Sequence, residues 1–142
     1  MKPQEIFNKA AVHLMGMDGP SLDQDSDACV YRGKDEDCEF NGKMCAVGLF
    51  IKDEHYDCGF EGNDLNRNGD SDIANAVAKS WGQERLTDDQ LNLLTDLQYA
   101  HDETSRGSSL IPDHTWSSNI VASLDGVATK FHLRFDPKGA SA

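Results

Sequence analysis

Asp53-Glu54-His55-Tyr56-Asp57 sets three carboxylates, an imidazole and a phenol within five residues. The cluster follows directly on an apolar run that ends at Ile51. Such groups at the end of a buried element can bind a cation or a polar ligand, or transfer a proton. The same composition also describes a solvated loop leaving a buried segment. His101-Asp102 is a second imidazole–carboxylate pair. At the end of a helix, the dipole alone would account for a histidine there. No G-x-S-x-G, P-loop or H-E-x-x-H pattern occurs in the chain.

Asp64-Leu65-Asn66-Arg67-Asn68-Gly69-Asp70-Ser71-Asp72 matches the first half of a calcium loop. Asp64, Asn66, Asn68 and Asp72 fall where oxygen ligands belong, and the glycine falls where the loop turns sharply. The closing position, which takes a bidentate Glu, is Asn75, and the usually apolar eighth position is Ser71. The expectation is an Asx- and Gly-rich turn leading to a helix cap, with no cofactor beyond weak calcium binding. Cys29, Cys38, Cys45 and Cys58 show none of the tight pairs that structural zinc sites use. Cys29 and Cys45 sit in apolar runs and read as small core residues.

The strongest compositional signal is charge. Between Asp18 and Asp72 fifteen acids face five bases, so this stretch holds most of a net charge of −12. Asp35, Glu36, Asp37 and Glu39, with Asp53, Glu54, His55, Tyr56 and Asp57, form the expected binding face. A field of this sign repels nucleic acid and attracts basic surfaces or cations. It presents carboxylates to the Lys and Arg that otherwise grip phosphates.

Four helices are predicted to position these groups. The first starts at Pro3, repeats Ile6, Ala10 and Leu14, and stops at Gly16. The second begins at Ser71 or Asp72 and ends at Gly82. The third opens on a Thr87/Gln90 capping box with Leu86 stapled to Leu91. It turns Leu91, Leu94, Leu97 and Tyr99 inward and runs to about His101. The fourth opens near Pro112 and Asp113 and stripes Trp116, Ile120, Leu124, Val127 and Phe131. Ala28–Arg32 and Met44–Ile51 are short β-branched and aromatic runs flanking an Asn41-Gly42 turn, which predicts a hairpin or small antiparallel sheet. The second run also fits the start of a buried helix. The predicted class is α+β: a mostly helical single domain over 1–136, with one small antiparallel sheet and a flexible tail over 137–142.

Several blocks together resemble small bacteriophage and prophage proteins of unknown function. They are Cys29-Val30-Tyr31-Arg32-Gly33, Cys45-Ala46-Val47-Gly48, Ile51 to Tyr56 with Glu61-Gly62, Leu97 to Asp102, and the Trp116 helix. The resemblance implies a phage accessory protein working inside a bacterial cell and brings no catalytic residues with it. The leading expectation is a non-enzymatic binding or inhibitor protein. It would engage a host protein with a basic surface, such as a defence or nucleic-acid-handling protein, and would bind neither nucleic acid nor membrane. One alternative is a small metal-dependent enzyme or ligand-binding protein using the Asp53–Tyr56 cluster with His101 and a cysteine. Another is a calcium-stabilised structural domain. The N-terminus lacks an apolar signal core, and no run reaches the roughly 18 apolar residues of a membrane span. A cytoplasmic location with reduced cysteines is therefore expected.

Overall fold

The computed structural model describes residues 1–17, 32–34, 40–57, 60, 71–105 and 116–137. Four α-helices stand among them: α1 (Pro3–Met15), α2 (Asp72–Ser80), α3 (Asp88–Ser105) and α4 (Trp116–Lys130). Helices α1, α3 and α4 pack on one another. Their apolar faces supply Ile6, Phe7 and Leu14, then Leu93, Leu94 and Leu97, then Ile120 and Leu124, all fully buried.

Local chemistry sets each helix boundary. Pro3 occupies the first turn of α1, and the Glu5 carboxylate accepts the Lys2 N–H at 2.9 Å. At the start of α3 the Thr87 hydroxyl accepts the Gln90 N–H at 3.2 Å, while the Gln90 side chain accepts the Thr87 N–H at 2.9 Å. Both orphan donors of the first turn are thus satisfied. Gln90 is buried and does more than cap: its amide nitrogen donates to the Met1 carbonyl at 2.8 Å and exchanges hydrogen bonds with Gln83. Ser71 caps α2 by accepting the Ala74 N–H at 3.1 Å. α2 and α4 both close with a residue in the left-handed region, Gly82 (φ 71°) and His132 (φ 55°). After each, a backbone N–H reaches back to the helix: Gln83 to Ala78 O and Leu133 to Ala128 O, both at 2.8 Å. This is the Schellman closure.

The α+β class is overturned. Among the described residues the core is helical, and no sheet forms a layer in it. Of Met44–Ile51, expected as a strand, only Met44 is extended; the rest is a turn followed by a 3-10 turn over Gly48–Phe50, with Cys45, Ala46, Val47, Phe50 and Ile51 buried. The segment is wedged among helices: the Met44 carbonyl pairs with His13 Nε2 at 2.7 Å, and the Gln98 side chain accepts the Val47 N–H at 3.3 Å. Burial on all sides removes the alternation that marks a half-buried strand, and a run this short has no period of its own. The backbone pairing that does occur joins Arg32–Lys34 to Phe40–Met44 antiparallel, with a register irregularity. It meets the predicted runs only at their ends, Arg32 and Met44, which are partners in the register. Asn41-Gly42, expected as the turn, lies inside the second of these segments. Ala28 to Tyr31 and residues 138–142 lie outside the described residues.

Two further expectations change. α3 continues past His101 to Ser105. Tyr99, placed on its inner side, is 63% exposed. The inward positions of α3 follow Leu93, Leu94, Leu97, Ala100 and His101, and Tyr99 falls off that stripe. The stretch before Trp116, where α4 was expected to open, lies outside the described residues.

The two glycines predict opposite substitution effects. Gly126 sits inside α4, where a Cβ would meet nothing within 4 Å. Gly126→Ala should stabilise the protein by about 1 kcal/mol. Gly82 holds a positive φ, so Gly82→Ala should destabilise it by about 1 kcal/mol or more. Urea unfolding of both variants measures the pair, and shifts of the same sign would contradict these assignments.

Candidate functional site

After Ile51 the chain makes a single 3-10 turn over Asp53–His55, closed by the His55 N–H to Lys52 O at 2.9 Å. Ser80, buried near the end of α2, anchors this turn. Its hydroxyl donates to the Ala76 carbonyl at 2.7 Å and accepts the Lys52 N–H at 2.9 Å. Beneath, Phe50 meets Trp81 edge-to-face with ring centroids 5.4 Å apart. A buried hydroxyl and an aromatic contact thus help to hold the five-residue cluster against α2.

The turn and α2 enclose an open cleft of about 400 Å³. From the turn come Glu54, His55, Tyr56 and Asp57, with Phe60 beyond them. From α2 come Asp72, Asn75 and Lys79, spaced three and four residues apart on one side of the helix. Three carboxylates thus face one ammonium. Glu54 is 70% exposed, and its carboxylate lies 3.6 Å from the Nε2 of the partly buried His55. Tyr56 and Phe60 stand edge-to-face at 6.0 Å, giving the cleft an aromatic wall. Asp72 begins α2, where the helix dipole favours a carboxylate.

Of the residues singled out in the sequence, Glu54, His55, Tyr56 and Asp57 converge, and Asp72 joins them from the calcium-loop pattern. Asp53 is exposed and does not line the cleft. Asp35, Glu36, Asp37, Glu39, Asp64, Asn66 and Asn68 lie outside the described residues, as do Cys29, Cys38 and Cys58. Cys45 is buried, and its sulfur accepts the Gly48 N–H.

His101 is not part of this cleft. It is fully buried in α3, with Nδ1 3.1 Å from an Asp102 carboxylate oxygen that also accepts from Gln98. Its ring meets Trp116 edge-to-face at 5.6 Å. The Trp116 indole N–H in turn donates to the Leu14 carbonyl at 3.0 Å. His101 is one link in a polar chain across the contacts between helices. A reaction site combining His101 with the Asp53–Tyr56 cluster has no geometric basis among the described residues. Nor do three His, Cys, Asp or Glu side chains among them come together to hold a metal ion.

Sequence reasoning missed Asn75, Lys79 and Phe60 as cleft partners. The signal was present in the Asp72, Asn75, Lys79 spacing, which puts three polar groups on one side of a short helix whose other side is Ile73, Val77 and Ser80. No protein-family model, curated protein or solved structure matches the chain. No helix among the described residues is long and apolar enough to cross a membrane.

Ser80→Ala should loosen the turn specifically. The partly buried Lys52 N–H would lose its acceptor, at a cost of about 1 kcal/mol. Amide exchange should accelerate at Lys52 and His55 well before it does in α3. Unchanged exchange at Lys52 would show that Ser80 is not the anchor. Thermal melts with excess calcium and with chelator should coincide. A site filled at one hundred times its dissociation constant would add about 2.7 kcal/mol, so a rise of that size would revive the calcium-loop reading.

Proposed function

We propose that the chain is a non-enzymatic binding protein whose acidic cleft receives a basic side chain of a partner protein. The observation that carries this reading is the cleft between the Asp53–His55 turn and α2. It combines three carboxylates, Glu54, Asp57 and Asp72, with the aromatic wall of Tyr56 and Phe60. That combination suits a guanidinium better than an ammonium. Arginine presents a planar fork of donors to carboxylates and stacks on aromatic rings, while lysine is a compact, strongly hydrated point charge. Lys79, which also lines the cleft, adds a repulsive element. The chain's net charge of −12 adds long-range steering of a basic partner toward the site.

The setting proposed with this reading is a bacteriophage-encoded protein acting on a host protein in the bacterial cytoplasm. It rests on the sequence blocks around Cys29, Cys45, Ile51–Tyr56 and Leu97–Asp102.

A short arginine-rich peptide is the probe. Glu54→Gln, Asp57→Asn and Asp72→Asn combined should weaken its binding tenfold or more, about 1.4 kcal/mol. Asp88→Asn, Asp89→Asn and Asp125→Asn, a remote set of the same charge, should weaken it about twofold through the general field alone. Affinity should fall as salt rises, because exposed charges are screened within about 8 Å at physiological ionic strength. Equal losses for the two triple variants would remove the cleft from the account and leave only net charge.

A further inference from the structure

Among the described residues that line the acidic cleft, Lys79 is the one lysine or arginine. It shares the outer side of α2 with Asp72 and Asn75. Asp72 and Lys79 are both exposed, and neither side chain is in an ion pair. They stand seven residues apart, about 10 Å along the helix axis. Asn75 lies between them at the three- and four-residue spacings that make neighbours on a helix surface. Charge along this side of α2 therefore runs from negative through neutral to positive. The helix dipole favours the same order, an acid in the first turn and a base in the last.

A ligand that is only a cation gains nothing from Lys79, because the ammonium repels it. A ligand with an anion a few atoms from its guanidinium uses both ends of this gradient. The Asn75 amide and the Lys79 ammonium are neighbouring donors, one of them charged, and such a pair suits a carboxylate. An arginine at the end of a polypeptide carries both groups: a guanidinium on its side chain and a carboxylate on its own Cα. An internal arginine offers a neutral peptide group in place of that carboxylate. The cleft volume of about 400 Å³ is near the lower end of ligand pockets, about 300–1,000 Å³, which suits one residue better than a length of peptide.

We infer that the cleft binds the C-terminal arginine of a partner chain. The guanidinium meets Glu54, Asp57 and Asp72 with the Tyr56 ring, and the terminal carboxylate meets Asn75 and Lys79. This rests on the reading of the cleft as a guanidinium site and adds a specificity-determining residue to it. Lys79 discriminates a chain end from an arginine within a chain, repelling the cation alone and holding the cation that comes with a carboxylate.

The test is calorimetric titration of the whole chain with two short peptides of one sequence ending in arginine, one with a free carboxylate and one with a carboxamide. The free acid should bind at least fivefold more tightly. Lys79→Gln, on an exposed helix position, should keep the thermal stability and weaken the free acid at least fivefold. It should leave the carboxamide unchanged or somewhat tighter, so that the preference disappears. A rise in net negative charge alone would strengthen both peptides, and that result, or a preference that survives Lys79→Gln, would overturn the inference. Equal affinities of the two peptides for the parent would also overturn it; if the Glu54, Asp57 and Asp72 triple variant still weakened both, the guanidinium site itself would stand. No binding of either peptide, or no loss in the triple variant, would remove site and inference together. Free arginine offers the same two groups with an added ammonium. Its binding as tightly as the free-acid peptide would make the amino acid the ligand and overturn the assignment to a chain end.

Discussion

Burial of Leu93, Leu94 and Leu97 between α1 and α4 is the contact on which the rest of the molecule depends. α3 is a strongly acidic helix, so its stability as an isolated segment is small and its packing must hold it in place. Each fully buried leucine contributes roughly 1.5–3 kcal/mol through removal of apolar surface from water. The polar contacts then fix how the three helices sit. Trp116 ties α4 to the end of α1, His101 and Gln98 converge on Asp102, and Thr104 meets Ser123. A large net charge opposes compaction, which makes this small apolar core more important than it would be in a neutral domain of equal size.

α2 is attached in two ways. Ile73, Ala74, Val77 and Ala78 on its inner side are buried in the same apolar core as α1, α3 and α4. It also packs against the Asp53–His55 turn, and Phe50 against Trp81 and the side-chain network of Gln83, Gln90 and Met1 add further ties. The acidic cleft therefore lies on the outer side of a helix whose inner side is part of the core.

How legible this was in the sequence depended on whether local or long-range physics decided each feature. The caps were local and readable: Thr87 with Gln90 and Ser71 before α2 lie where side-chain hydrogen bonding puts them, and Pro3 lies in the first turn of α1, where its fixed φ fits and its missing N–H costs nothing. The stripes of Ile6, Ala10, Leu14 and of Ile120, Leu124, Val127 were equally plain. Met44–Ile51 was not, because its conformation is set by Gln98 and His13 from helices distant in sequence, and its own composition resembles a strand. The carboxylates and imidazole of the cleft were visible as Glu54–Asp57, but their partners on α2 were not. Nothing in the sequence says that Ser80 accepts the Lys52 N–H and so brings Asp72, Asn75 and Lys79 alongside. His101 was misjudged as a helix-end residue because α3 continues one further turn and buries it.

The position of a bound guanidinium tests the proposed role of the cleft most directly. A crystal structure of the chain with a short arginine-containing peptide would locate it. The account predicts the guanidinium between the carboxylates of Glu54, Asp57 and Asp72, with the Tyr56 ring against its face. An arginine held elsewhere on the acidic surface, with the cleft occupied only by water, would contradict it.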